Sequence, residues 1–155
     1  MTDTCIVDAC SQSWEESTSA NLPNKNNCSG FLKAVASKLG IVLPVSANAD
    51  LLIDFMIDQQ WKTTTSGKEA ANLAENGAFV VAALKSGDHN PARANGHVAV
   101  VVSGTLYREV YPLCWCGSIG SAQSCGTKSV GEVWNRRDRD QVTYYRCPVY
   151  VCADA

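Results

Sequence analysis

Two periodicities divide the chain. In the first half, apolar residues return every three or four positions: Ile6, Val7, Cys10 and Trp14, then Phe31, Leu32, Val35 and Leu39, then Leu51, Leu52, Phe55 and Met56. That spacing predicts helices. The first covers residues 4–15 behind a Thr2/Asp3 cap, with Cys5 near its start. A Ser/Thr/Asn-rich loop with Pro23 follows over residues 17–27. The second helix opens at or next to Cys28, capped from the polar run Asn24-Lys25-Asn26-Asn27, and Gly40 marks its end. The next runs from an Asn48 cap to about Trp61, where Ile53 and Ile57 widen the apolar face enough to predict a well-buried helix. Ser66-Gly67-Lys68-Glu69 has capping-box spacing and opens a further helix that stops at Asn76-Gly77.

After Gly77 the pattern becomes extended. Phe79-Val80-Val81-Ala82-Ala83-Leu84 and His97-Val98-Ala99-Val100-Val101-Val102 are apolar, Val-rich runs bounded by turn residues, and they predict neighbouring strands. Residues 86–96, with Gly87, Asp88, Asn90, Pro91 and Asn95, predict a surface loop. A third strand is expected over 111–118, a short helical piece over 130–134 and a closing strand over 142–151. Helices first and strands second point to an α+β fold with an antiparallel sheet.

Composition narrows the function classes. A chain of 155 residues with 46% hydrophobic and 18% charged residues has the size of one domain, read as spanning 1–155. Net charge is −2, and the basic cluster Arg136-Arg137 and Arg139 is interrupted by Asp138 and Asp140, so nucleic acid is not expected as a partner. The apolar run over 78–84 falls far short of the roughly 20 residues that a membrane helix needs, so no span is expected. Eight cysteines suggest an oxidising compartment. Yet Met1-Thr2-Asp3-Thr4-Cys5-Ile6-Val7-Asp8 has neither the basic region nor the apolar stretch of an export signal. Either the protein works outside the cytoplasm by a leaderless route, or its cysteines stay free or bind metal.

Candidate chemistry centres on Cys28. Unpaired amides and the helix dipole favour a thiolate at a helix start, which lowers a cysteine pKa from about 8.5 toward neutrality; an inert, packed cysteine is the alternative. A thiol nucleophile needs a base, and histidine suits the task. Of the two histidines, His89 lies in the Gly/Pro/Asn loop and is read as a solvated surface side chain. His97 opens an apolar strand directly after Asn95-Gly96, where its ring can project into a cleft or be satisfied by backbone. Cys114-Trp115-Cys116 places two thiols on one strand face, with Cys125, Cys147, Cys152 or a histidine as possible further zinc ligands. Structural zinc sites usually pair their ligands two to four residues apart on tight knuckles, so no metal or cofactor is expected. Phosphate-binding, dinucleotide and serine-hydrolase motifs are absent.

Several stretches carry a family resemblance. Asn24-Lys25-Asn26-Asn27-Cys28-Ser29-Gly30-Phe31, Gly96-His97-Val98-Ala99-Val100-Val101 and Tyr111-Pro112-Leu113-Cys114-Trp115-Cys116-Gly117-Ser118-Ile119 resemble the first family of type VI secretion amidase effectors. Lys128-Ser129-Val130-Gly131-Glu132-Val133-Trp134-Asn135-Arg136 and Asp138-Arg139-Asp140 are similar too, so the likeness covers nearly the whole chain. That family belongs to the NlpC/P60 group of papain-like peptidoglycan peptidases.

The resemblance implies a papain-like fold with N-terminal helices packed on an antiparallel sheet. It implies a monomeric toxin injected into a Gram-negative neighbour, cutting the wall peptide between γ-D-glutamate and meso-diaminopimelate in the periplasm. Such effectors leave through the type VI secretion apparatus without a signal peptide, which reconciles the cysteine count with the amino terminus, and a periplasmic immunity protein protects the producer. Carried onto this chain, Cys28 is the nucleophile, His97 the base and acid, and Cys116 the third group that orients the histidine. A thiol accepts hydrogen bonds poorly, so that orienting role should be weak. Cys5 and Cys152 match the family's disulfide positions, whereas Cys125 and Cys147 depart from the pattern and either bridge or stay free. On the residues alone, a non-catalytic, disulfide-stabilised wall-binding or inhibitor module with a structural Cys28 is the alternative.

Overall fold

A computed structural model describes residues 2–19 and 24–152, so Pro23 and the middle of its predicted loop, residues 20–23, lie outside the described residues. The elements are α1 (Thr4–Ser19), α2 (Cys28–Lys38), α3 (Ala49–Asp58), β1 (Lys62–Thr64), α4 (Gly67–Glu75), β2 (Ala78–Leu84), β3 (His97–Val101), β4 (Leu113–Cys116), β5 (Ser124–Ser129), α5 (Val130–Val133) and β6 (Thr143–Tyr150). The strands form one sheet in the order β1-β6-β2-β3-β4-β5, and every neighbouring pair is antiparallel. This is the expected α+β class.

The sheet is covered on both sides. Phe79, Val81 and Ala83 of β2 face the layer built by α1, α2 and α3, while Ala78, Val80, Ala82 and Leu84 face α4 and α5. Every β2 residue is buried, which is why that strand reads as an unbroken apolar run and not an alternation. Phe31, Leu32, Val35 and Ala36 bury one stripe of α2 against the first layer. Full burial of each larger side chain contributes about 1.5–3 kcal/mol. The Asn27 carboxamide caps α2 by accepting from Gly30 N–H at 2.9 Å, and Asn48 caps α3 through Leu51 N–H at 3.0 Å. Leu39 closes α2 and Gly40 follows with φ +76°. No described helix is long and apolar enough to cross a membrane.

Several boundaries differ from the expectation. Helix α1 runs on to Ser19, and although Thr2 Oγ1 accepts from Thr4 N–H, Asp3 turns its carboxylate to Ser103 N–H at 2.7 Å. Helix α3 ends at Asp58, before a left-handed Gln60 (φ +58°), and its wide apolar face is only partly buried: Leu52, Ile53 and Met56 are inside, while Leu51 and Ile57 are 53% and 50% exposed. Ser66 caps α4 through Glu69 N–H, but the Glu69 carboxylate accepts from Thr64 Oγ1, and it is Thr64 that takes the Ser66 N–H. The predicted strand over 111–118 is trimmed to β4, and β1 and β5 have no counterpart in the periodicity. Cys5 and Cys152 are joined by a disulfide that ties the start of α1 to the end of the chain beyond β6. The other six cysteines are free, Cys125 exposed and Cys147 buried among them.

Candidate active site

Close approach of two loops builds the site. The segment before α2 lies against the end of β4, where Ser118 N–H donates to Lys25 O at 2.9 Å. Gly117 permits that approach, since a Cβ there would sit 2.0 Å from Asn24 O and 2.7 Å from Asn27 O. The buried Asn24 carboxamide fixes the same segment to α1 by donating to Ser13 O and Glu16 Oε1. Trp14 meets Phe31 of α2 and Trp115 of β4 edge-on, with ring centroids 6.0 and 6.2 Å apart. Helix α1 thereby holds the helix that starts at Cys28 against the strand that ends at Cys116.

His97 enters from the neighbouring strand. It begins β3 on the same face as Ala99 and Val101, and its ring packs edge-on to Trp134 at 4.9 Å. Gly96 before it is hemmed in: a Cβ would lie 2.3 Å from Asp50 Oδ1 and 3.0 Å from Leu84 O. Its carbonyl receives the Cys28 Sγ contact at 3.9 Å, so the nucleophile candidate meets the backbone next to His97. Cys116 comes from β4, whose register Val101↔Cys114 and Val100↔Trp115 sets Cys114 and Cys116 on the His97 face. Its thiol donates to Ala122 O at 3.1 Å and interacts with the His97 ring.

The Cys28 and Cys116 thiols are both shifted upward. Burial pushes the Cys28 thiol up, and the N–H groups of Val98, Ser29 and Cys28 itself pull it only partly back. The expected lowering by the helix start is therefore outweighed by desolvation. Cys116 is raised well above the ordinary thiol range by its neighbour Cys114 and by burial, with His97 acting in the opposite sense. His97 is buried, and its Nε2 has no hydrogen-bond partner among the described residues.

Cys28 and His97 share a cleft of about 400 Å³ with Asn26, Asn27, Asn95, Ser118 and Trp134. Cys116 lies behind it, fully buried. A thiol and an imidazole lining one cleft, with the amides of a helix start at the thiol, supply the groups needed to deprotonate a sulfur, carry an acyl group on it and stabilise the oxyanion that forms.

His89 corrects the sequence reading. It is buried, not solvated: Nδ1 lies 2.9 Å from Asp138 Oδ2, and Asp138 Oδ1 accepts Asn90 N–H at 2.7 Å. No local pattern links residues 49 apart; the polar loop and the interrupted run Arg137-Asp138-Arg139 each read as surface. Among the described residues no cluster of three or more His, Cys, Asp or Glu side chains is arranged for a metal ion. The Cys114/Cys116 pair instead packs into the core.

An α+β protein with a thiol and an imidazole at one end of its sheet is thus defined. The chain is 50% identical over 153 residues to the peptidoglycan amidase Tse1 of Pseudomonas aeruginosa, an alignment covering 97% of this chain and 94% of the relative. No family model matches. At that identity over nearly the full length of both proteins, the chain belongs to the same family as this amidase, that of the type VI secretion amidase effectors.

Proposed function

We propose that this protein is an antibacterial cysteine amidase that hydrolyses the bond between γ-D-glutamate and meso-diaminopimelate in peptidoglycan stem peptides of a recipient Gram-negative cell. The single observation that supports the reading most is the shared cleft of Cys28 and His97 in a chain 50% identical to a peptidoglycan amidase. The protein acts as one monomeric catalytic domain without metal or cofactor. It leaves its producer through the type VI secretion apparatus and works in the recipient periplasm, and a cognate periplasmic immunity protein covers the cleft in the producer.

The chemistry is acyl transfer through sulfur. His97 takes the Cys28 proton as the sulfur attacks the glutamyl γ-carbonyl carbon, and the Cys28 N–H at the start of α2 stabilises the oxyanion. Collapse breaks the C–N bond, His97 protonates the departing diaminopimelate amine, and a thioester remains. His97 then deprotonates water, which attacks the thioester; the γ-carboxylate leaves and the thiol is restored. Cys116 orients the ring through its sulfur, which can accept from the imidazole because its own proton is given to Ala122 O.

Purified diaminopimelate-type peptidoglycan tests this directly. Digestion followed by mass spectrometry is expected to release fragments ending in γ-D-glutamate, with diaminopimelate as the new amino terminus. Cys28→Ala and His97→Ala should each lower turnover by several orders of magnitude, and Cys116→Ala by much less. A periplasm-directed form should lyse Gram-negative cells while a cytoplasmic form spares them. Near wild-type digestion by Cys28→Ala, or a different new amino terminus, would overturn the mechanism or the bond assignment respectively.

A further inference from the structure

The cleft is neutral with one exception. Its polar walls are asparagines and serines, and besides His97 the only titratable cationic side chain lining it among the described residues is Arg93. That arginine is exposed, and it makes no ion pair with any described residue. The loop that carries it is firmly held. Arg93 N–H donates to Ser86 O at 2.9 Å, and Ser86 in turn gives both its N–H and its hydroxyl to the two oxygens of Asp50, which occupies that carboxylate. Between Ser86 and Arg93, His89 and Asn90 are anchored to buried Asp138. The pinned backbone thus brings to the cleft a guanidinium with no ion-pair partner among the described residues, and its planar fork matches a carboxylate bidentately.

We infer that Arg93 is a specificity-determining residue that binds a carboxylate of the substrate next to the scissile amide. The inference rests on the amidase reading, in which the bond is flanked by the free α-carboxylate of D-glutamate on one side and by diaminopimelate carboxylates on the other. Either would bring a negative charge to a cleft whose lining, His97 and Arg93 apart, can offer only neutral hydrogen bonds. Recognition by one charged group also explains how an open, polar cleft separates wall peptides from ordinary L-peptides: a site that loses its ionic partner discriminates far more sharply than one that loses an apolar contact.

The test uses Cys28→Ala protein, so that binding is read without turnover, and three synthetic tripeptides L-Ala-γ-D-Glu-diaminopimelate. One is fully acidic, one carries an amide in place of the glutamate α-carboxylate, and one carries an amide in place of the diaminopimelate carboxylate nearest the bond. Calorimetry should give about tenfold weaker binding for one of the amides, and the weakened one identifies the carboxylate. Adding Arg93→Ala should collapse that difference, whereas Arg93→Lys should retain part of it. An unchanged acid-to-amide ratio in Arg93→Ala, an equal loss on all three peptides, or no ratio in the parent would each overturn the role of Arg93. Digestion of whole walls by the unsubstituted protein reads the amidase assignment separately: its success with an unchanged ratio removes only Arg93, and its failure removes the amidase reading while the binding ratios still decide Arg93.

Discussion

At Cys28 two effects of opposite sign meet. The helix start offers its amides to the sulfur, as its position after the Asn27 cap predicts, yet burial raises the thiol by more than those amides lower it. The position of a cysteine at a helix start is legible in sequence, but its burial against the Gly96 carbonyl, 68 residues on, and the opposing Val98 N–H, 70 residues on, are revealed by no local pattern. His89 teaches the same lesson, because the buried carboxylate that partners it, Asp138, lies 49 residues on. In the proposed mechanism, a raised thiol means that Cys28 rests protonated and gives up its proton as the sulfur attacks. The sign follows directly: only the thiolate reacts, and its fraction grows until pH passes the raised pKa. Iodoacetamide should therefore modify Cys28 slowly at pH 7, and the rate should keep climbing beyond about pH 8.5, the ordinary thiol value. Peptide-resolved labelling across pH checks this, and a plateau reached below pH 7 would establish a resting thiolate instead.

Among the elements, those with a period or a cap of their own were readable. Helix α2 carries both, and β2 and β3 announce themselves as Val-rich runs. Strand β5, Ser124-Cys125-Gly126-Thr127-Lys128-Ser129, has neither; it is a strand because its backbone pairs with β4, in the register Leu113↔Ser129 through Cys116↔Ser124, and as an edge it keeps largely polar side chains. Strand β1 is similarly defined only by β6. The joint between elements is where the site is most sensitive. A Cβ at residue 117 would meet two backbone oxygens of the segment that leads into α2, and neither can move without shifting the Asn27 cap and Cys28. Gly117→Ala should cost roughly 1–3 kcal/mol, as overpacking does, and should lower activity disproportionately to that loss. Chemical denaturation and turnover on walls measure the two separately; full activity in a stably folded variant would show that the contact between this loop and β4 does not position the nucleophile.

For the whole molecule, the two apolar layers on opposite sheet faces explain why composition and period led to the right class. Helices were legible as helices, but not their division between faces, because which side of a fully buried strand a helix covers is decided by the connection and not by the pattern. The first layer is also where the chain closes on itself. Cys5 on α1 and Cys152 beyond β6 are bonded across 147 residues, so the disulfide constrains almost the entire unfolded chain. In the chain-entropy account, a loop of that length contributes about 5 kcal/mol, an upper value given that measured gains are often smaller. Oxidised protein should thus unfold at a distinctly higher denaturant concentration than reduced protein, and a Cys5→Ser/Cys152→Ser variant should match the reduced wild type while being insensitive to reductant. The six free thiols present in both proteins serve as the internal control. Equal midpoints for oxidised and reduced wild type would show that α1 and the chain end are already held by packing alone, through Ile6, Ala9 and Cys10 in the first layer.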